Sequence, residues 1–143
     1  MRRCTVGGMR QSLAVTAAAV VAPLLLAVGA CSSDAGAVRT VDADRAVELI
    51  RGEESPVVID VRTPAEFAAG HVADALNIDV TSRSFSDDLA ELDKDQAYLV
   101  YCQTGNRSET AVAKMRELGF SDLVDAGGVA SLQDAGAEIV AER

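Results

Sequence analysis

Hydrophobic positions along the chain fall into three regimes. From Leu13 to Ala30 the sequence is an almost unbroken run of Ala, Val and Leu, interrupted only by Thr16, Pro23 and Gly29. Residues 32–37 are small and polar. From Val38 onward, apolar residues come in short blocks punctuated by Gly, Pro and charge, and the blocks alternate in kind. Val38–Val41 suits a short strand. Asp42 is placed to cap a helix running to Arg51, with Ala46, Leu49 and Ile50 on one face and Gly52 as its stop. Val57-Val58-Ile59 is continuously apolar, the pattern of a strand buried on both faces. Thr63-Pro64-Ala65-Glu66 has the form of a capping box with proline at the first helical position, and Gly70 closes the brief helix it opens. Ala75–Ile78 predicts a third strand and Ser84–Leu92 a helix. Ala97–Tyr101, with its aromatic and β-branched residues, is the strongest strand signal. A polar loop over 102–106 leads to a helix over Arg107–Leu118, ended by Gly119. Leu123-Val124 predicts a last short strand, Gly127-Gly128 a tight turn, and the tail from Val129 a final helix.

Strands alternating with helices imply an α/β domain, a parallel sheet covered on both faces, over residues 38–143. In such folds reactive groups gather at the carboxyl ends of the strands. Cys102 directly follows the strongest strand and so lies at that edge.

The first regime has a different purpose. Arg2, Arg3 and Arg10 precede the apolar run, and the first acidic residue is Asp34. A basic start, an apolar stretch and small residues at its end read as a secretory signal over 1–30. The run closes on Val28-Gly29-Ala30-Cys31, which resembles the lipobox of bacterial lipoproteins. That resemblance implies cleavage before Cys31, lipid on Cys31, residues 32–37 as a flexible tether, and an anchored domain on the extracytoplasmic face of the membrane. The alternative is an uncleaved anchor, since the run is near the minimum for a membrane span.

Charge and cysteine count narrow the classes. The whole chain carries −9; loss of Arg2, Arg3 and Arg10 leaves 10 basic residues against 22 acidic, or −12. That balance excludes nucleic acid as a partner, which needs clustered Lys and Arg. Three cysteines make no disulfide framework, and one histidine with scattered cysteines makes a protein-ligated zinc site improbable. With Cys4 removed and Cys31 lipidated, Cys102 is the one free thiol, which argues against dithiol redox chemistry.

Cys102-Gln103-Thr104-Gly105-Asn106-Arg107-Ser108 carries the candidate chemistry. A cysteine at a strand end, followed by a tight loop and a helix N-terminus, has several backbone N–H groups directed at its sulfur. Those donors, the helix dipole and the Arg107 charge favour a thiolate, and Gly105 permits a backbone angle that other residues resist. The plain alternative is an ordinary buried cysteine. Asp60 and Arg62 end the second strand on the same edge, where an Asp60–Arg62–Glu66 ion-pair network supporting the loop is expected. His71, the sole histidine, is read as structural, and Asp87, Asp88, Glu91, Asp93 and Asp95 as a solvated acidic face.

The loop Cys102–Ser108 resembles the active-site loop of the rhodanese family. Ile59-Asp60-Val61-Arg62-Thr63-Pro64-Ala65-Glu66-Phe67, Gly70-His71-Val72 and Ala75–Ile78 resemble another signature of that family, and Gly119-Phe120 with Gly127-Gly128 its C-terminal pattern. The resemblance implies a three-layer domain with a five-stranded parallel sheet and helices on both faces. It implies a sulfurtransferase in which Cys102 takes a sulfane sulfur as a persulfide and passes it to a thiophilic acceptor. Gln103, Thr104, Gly105, Asn106, Arg107 and Ser108 would bind the substrate, and no cofactor is called for. Two other readings are a persulfide carrier that serves a protein acceptor without turnover, and a phosphatase or arsenate reductase. Four residues separate Cys102 from Arg107, whereas those oxyanion enzymes resemble a longer cradle, with five between. The chain departs from the family at Val129-Ala130-Ser131-Leu132, where many members carry Trp.

Overall fold

A computed structural model describes residues 38–142. The predicted signal, Cys31 and the tether lie outside the described residues, as does Cys4. In chain order the elements are β1 (Val38–Thr40), α1 (Ala43–Arg51), β2 (Val57–Asp60), α2 (Pro64–Ala69), β3 (His71–Val72) and β4 (Leu76–Asn77). They continue with α3 (Phe85–Ala90), β5 (Ala97–Cys102), α4 (Asn106–Glu117), β6 (Asp122–Gly128), α5 (Val129–Asp134) and β7 (Ile139–Val140). Among the described residues no helix is long and apolar enough to cross a membrane.

Local chemistry sets the boundaries. Asp42 caps α1 by accepting the Arg45 N–H at 2.8 Å. At α2 the capping box is complete, with Thr63 and Glu66 each accepting from the other's backbone and Pro64 opening the helix. Five strands form one parallel sheet in the order β1-β6-β5-β2-β4, which puts the strongest strand, β5, in the centre.

Side chains alternate across the sheet with period two, and this splits the core. Tyr98, Val100 and Cys102 of β5 pack with Ile59, Phe85, Leu89, Val112, Met115 and Leu123 on the α3 and α4 face. Leu99 and Tyr101 pack with Val58, Val47, Phe67, Val124 and Leu132 on the face of α1, α2 and α5. Val129 and Leu132 are buried, so α5 seats itself by aliphatic packing at the positions where the family resemblance leads one to look for Trp.

Three expectations are corrected. Strand β6 runs seven residues, not two, and Gly127-Gly128 form its end, not a free turn. Pairing passes from Val100↔Asp125 to Cys102↔Gly128, so β6 holds an extra residue in a bulge beside the cysteine. A second, antiparallel ribbon joins β3 to β7 (His71↔Val140, Val72↔Ile139), which the pattern did not predict.

Candidate active site

Cys102 is the last residue of β5 and is fully buried. The chain turns at once through 103–105 and enters α4 at Asn106. Gly105 makes that turn in the left-handed region at φ 102°. Its N–H donates to Cys102 Sγ at 3.0 Å. Burial on its own would push the thiol's pKa up, but backbone N–H groups of Ser108, Thr104, Gly105 and Arg107 outweigh it, and the pKa lies below its ordinary value. The groups that the loop turns toward the sulfur are main-chain N–H donors.

Gly128 explains how the loop sits so close to the sheet. A Cβ there would lie 2.8 Å from Gln103 O and 3.3 Å from Thr104 Cα. Only a glycine lets the loop backbone cross the end of β6 at that distance. Asp125, three residues earlier and also buried, ties strand to loop. The Ser108 hydroxyl lies 2.7 Å from Asp125 Oδ1 and 2.8 Å from Gly105 O, and the Gly127 N–H donates to the same Oδ1 at 3.0 Å.

A polar floor lies on the other face of the sheet end. Asp60 and Arg62 are both buried. Arg62 Nη2 donates to Asp60 Oδ2 at 2.7 Å and to Gly70 O at 2.6 Å, and Nε donates to both carboxylate oxygens at 3.0 Å. Burial works against the Arg62 charge, yet Asp60 more than compensates and its pKa is raised. Arg62 Nη1 reaches Gln103 Oε1 at 3.2 Å and so holds the first loop side chain. The guanidinium lies 5.8 Å from the centroid of the Tyr101 ring. Burial holds that phenol well above its ordinary pKa, and its oxygen accepts the Val72 N–H at 3.0 Å. Asn77 Nδ2 donates to the carbonyls of Asp60 and Arg62 at 3.0 and 2.8 Å, locking the end of β2.

Glu66 does not join this floor, which corrects the expected three-membered network. It faces Arg107 instead, with Nη1–Oε2 at 2.9 Å and Nη2–Oε1 at 2.7 Å. That Arg107 contact, helped by Thr63, holds the Glu66 carboxyl down at about 2. Arg107 is correspondingly raised, chiefly by Glu66. The Arg107 charge is therefore shared with a carboxylate rather than offered to the sulfur alone.

Other sequence expectations divide cleanly. His71 is buried, stacked on Phe67 at 3.6 Å between ring centroids, with Nδ1 2.9 Å from Phe67 O. It is a structural residue. Gln103, Thr104 and Asn106 are exposed around the loop. Asp87, Asp88, Glu91, Asp93 and Asp95 are exposed as expected. Sequence reasoning missed Asp125, Asn77 and the Tyr101 hydroxyl; the only signal for Asp125 is a carboxylate standing inside an apolar block next to a Gly pair.

The chain is similar to known proteins in sequence and in fold. The family model of the rhodanese-like domain matches residues 42–134. The thiosulfate sulfurtransferase GlpE of Pseudomonas putida is 40% identical over 85 residues, covering 59% of this chain and 74% of its own. A sulfurtransferase of Allochromatium vinosum is 30% identical over 105 residues, 73% of this chain and 96% of its own. Among solved structures, a rhodanese-related protein from Thermoplasma volcanium superposes with a TM-score of 0.62 at 31% identity, covering 71% of this chain and 97% of that one. The matched span runs from α1 to α5 and covers more than half of the chain, and the chain belongs to the rhodanese-like family.

Proposed function

We propose that the chain is a sulfurtransferase in which Cys102 carries the sulfur as a persulfide. Sulfur transfer in general is what the family and its sulfurtransferase relatives support. The observation that carries the finer reading is the buried Cys102 sulfur receiving the Gly105 N–H at 3.0 Å within a ring of backbone donors. Thiolate is the nucleophilic form, and a site that lowers its pKa needs no separate general base. The thiolate attacks the outer sulfur of a sulfane donor. A new S–S bond forms at Sγ, the donor's S–S bond breaks, and its electron pair leaves with the donor remnant. The cradle's N–H dipoles then face the charge on the outer sulfur, where fixed donors are most effective. A thiophilic acceptor attacks that sulfur and regenerates the thiolate. Residues 103–108 bind the donor, chiefly through main chain, while Asp60 and Arg62 hold the loop from below.

The same reading places the domain on the extracytoplasmic face of a membrane, tethered by lipid on Cys31; the Val28-Gly29-Ala30-Cys31 motif supports it. Incorporation of labelled fatty acid into the full chain, lost in Cys31→Ala, tests that part.

The central test uses the soluble fragment that begins after Cys31. It is incubated without reductant with thiosulfate or with polysulfide, and its intact mass is recorded. One added sulfur on Cys102, released by dithiothreitol and absent in a folded Cys102→Ser variant, is expected. Loading that persists in Cys102→Ser would overturn the assignment. Loading without turnover onto cyanide or small thiols would mark a carrier serving one protein partner. Cys102-dependent hydrolysis of an aryl phosphate would mark an oxyanion enzyme.

A further inference from the structure

The charge balance at the rim bears on which sulfur donor the site accepts, an inference that rests on the sulfurtransferase reading. From Cys102 to Ser108, Arg107 is the only residue with a cationic side chain. Its two terminal nitrogens are both engaged by Glu66, at 2.9 and 2.7 Å. The arginine beneath the loop, Arg62, is matched in the same way by Asp60. The loop's remaining side chains, Gln103, Thr104, Asn106 and Ser108, are neutral. A donor entering the loop therefore meets aligned N–H dipoles and no net side-chain cation. Glu66 stays ionised throughout the neutral range, because Arg107 and Thr63 hold its carboxyl at about 2.

We propose that Glu66 is a specificity-determining residue: by neutralising Arg107 it sets the site against dianionic donors such as thiosulfate and in favour of sulfane sulfur carried on a thiol, R–S–SH. Reaction with thiosulfate brings two negative charges toward a thiolate before any bond forms. A persulfide brings at most one, as R–S–S⁻, and none as its electrophilic neutral form, R–S–SH. In that case the Cys102 thiolate attacks the terminal sulfur, an Sγ–S bond forms, the R–S bond to that sulfur breaks, and R–S⁻ leaves with the electron pair. The proton stays on the transferred sulfur, charge is conserved, and no external oxidant or reductant is needed. The donor is then a thiol-borne persulfide, the product of a reaction that places sulfur on a thiol.

The substitution that isolates the charge is Glu66→Gln. Glutamine serves at the third position of a capping box, so α2 keeps its start while the carboxylate is lost. Loading of Cys102 is followed by intact mass in single turnover, with thiosulfate and with 2-hydroxyethyl persulfide as separate donors. In the unsubstituted protein the persulfide is expected to load faster. Glu66→Gln should raise the thiosulfate rate about tenfold and leave the persulfide rate within about twofold, a gain that shrinks between about 20 and 500 mM salt. The double variant Glu66→Gln/Arg107→Gln should lose the gain, because the freed cation is gone. Thr104→Arg adds an unmatched cation at an exposed loop position without touching α2, and should raise the thiosulfate rate as well. Equal loading by both donors, with neither Glu66→Gln nor Thr104→Arg favouring thiosulfate, would overturn the inference and leave sulfur transfer standing. Loading by neither donor in the unsubstituted protein would overturn both.

Discussion

Arg62 and Arg107 each grip a carboxylate through several hydrogen bonds at the same end of the same sheet. Asp60–Arg62 is buried, with side-chain exposures of 5% and 0% for arginine and aspartate. Glu66–Arg107 lines the rim, with 30% and 32% for arginine and glutamate. In the buried pair, desolvation offsets much of the Coulomb attraction, so the pair adds little net stability over an apolar substitute. What it adds is geometry: one guanidinium fixes Asp60, Gly70 O and Gln103 in a single plane of contacts. At the rim, water screens the attraction and the pair is worth about 0–1 kcal/mol. Its importance lies in the charge it removes from the mouth of the site. Burial, not hydrogen-bond length, separates a structural ion pair from a tuning one here.

Truncating each arginine is the sharpest way to break this contrast. Arg62→Ala strands the Asp60 carboxylate and is expected to cost about 3–5 kcal/mol, whereas Arg107→Ala should cost about 1 kcal/mol or less. Urea unfolding midpoints measure both, and similar losses would erase the distinction. Gly128→Ala probes the seat of the loop between floor and rim. Its Cβ would stand 2.8 Å from Gln103 O, so the loop must shift; a loss of about 1–3 kcal/mol is expected, with the thiol pKa rising toward its ordinary value. The pH dependence of alkylation reads the second effect, and an unmoved inflection would show that the cradle does not depend on this close approach.

A smaller effect follows from Glu66, whose carboxyl lies at about 2 in the fold against 4.5 when unperturbed. A depressed acid stabilises the fold fully above its unfolded pKa and loses that contribution as pH falls through the folded one. The stability gap between the unsubstituted protein and Glu66→Gln should be complete above about pH 4.5 and close toward pH 2, amounting to about 1 kcal/mol at most after screening. A gap that opens on acidification would reverse the assignment. The smallest change lies outside both regions. Asp74 turns at φ 61°, a conformation aspartate tolerates and glycine adopts freely, so Asp74→Gly should shift stability by only a few tenths of a kcal/mol.

Legibility in the sequence tracked the range of the interactions. The α2 capping box, β5 and the placement of Cys102 are set by neighbours a few residues apart, and they were readable. Partners distant in the chain were not. Glu66 lies 41 residues from Arg107, and nothing local distinguishes that pairing from one with Arg62, which is closer in sequence. Strand β6 hides its length because Asp125 and two glycines interrupt its apolar pattern. The aspartate is admissible inside because Ser108, 17 residues earlier, and the Gly127 N–H both bind it. Two-residue strands such as β3 and β7 are too short to show any period, and they form only because the chain's end returns to meet them.

That return has a practical side. Ala73 N–H donates to Glu138 O and Glu142 N–H to Ala68 O, so the last described residues clamp the segment whose Gly70 carbonyl receives Arg62. The family match stops at residue 134, short of this clamp. A fragment trimmed to the matched span would retain the nucleophile and the whole cradle, yet would release the brace under the floor. Expression boundaries for this protein belong after residue 142, and a purification tag on a fragment that begins after Cys31 belongs at its amino end.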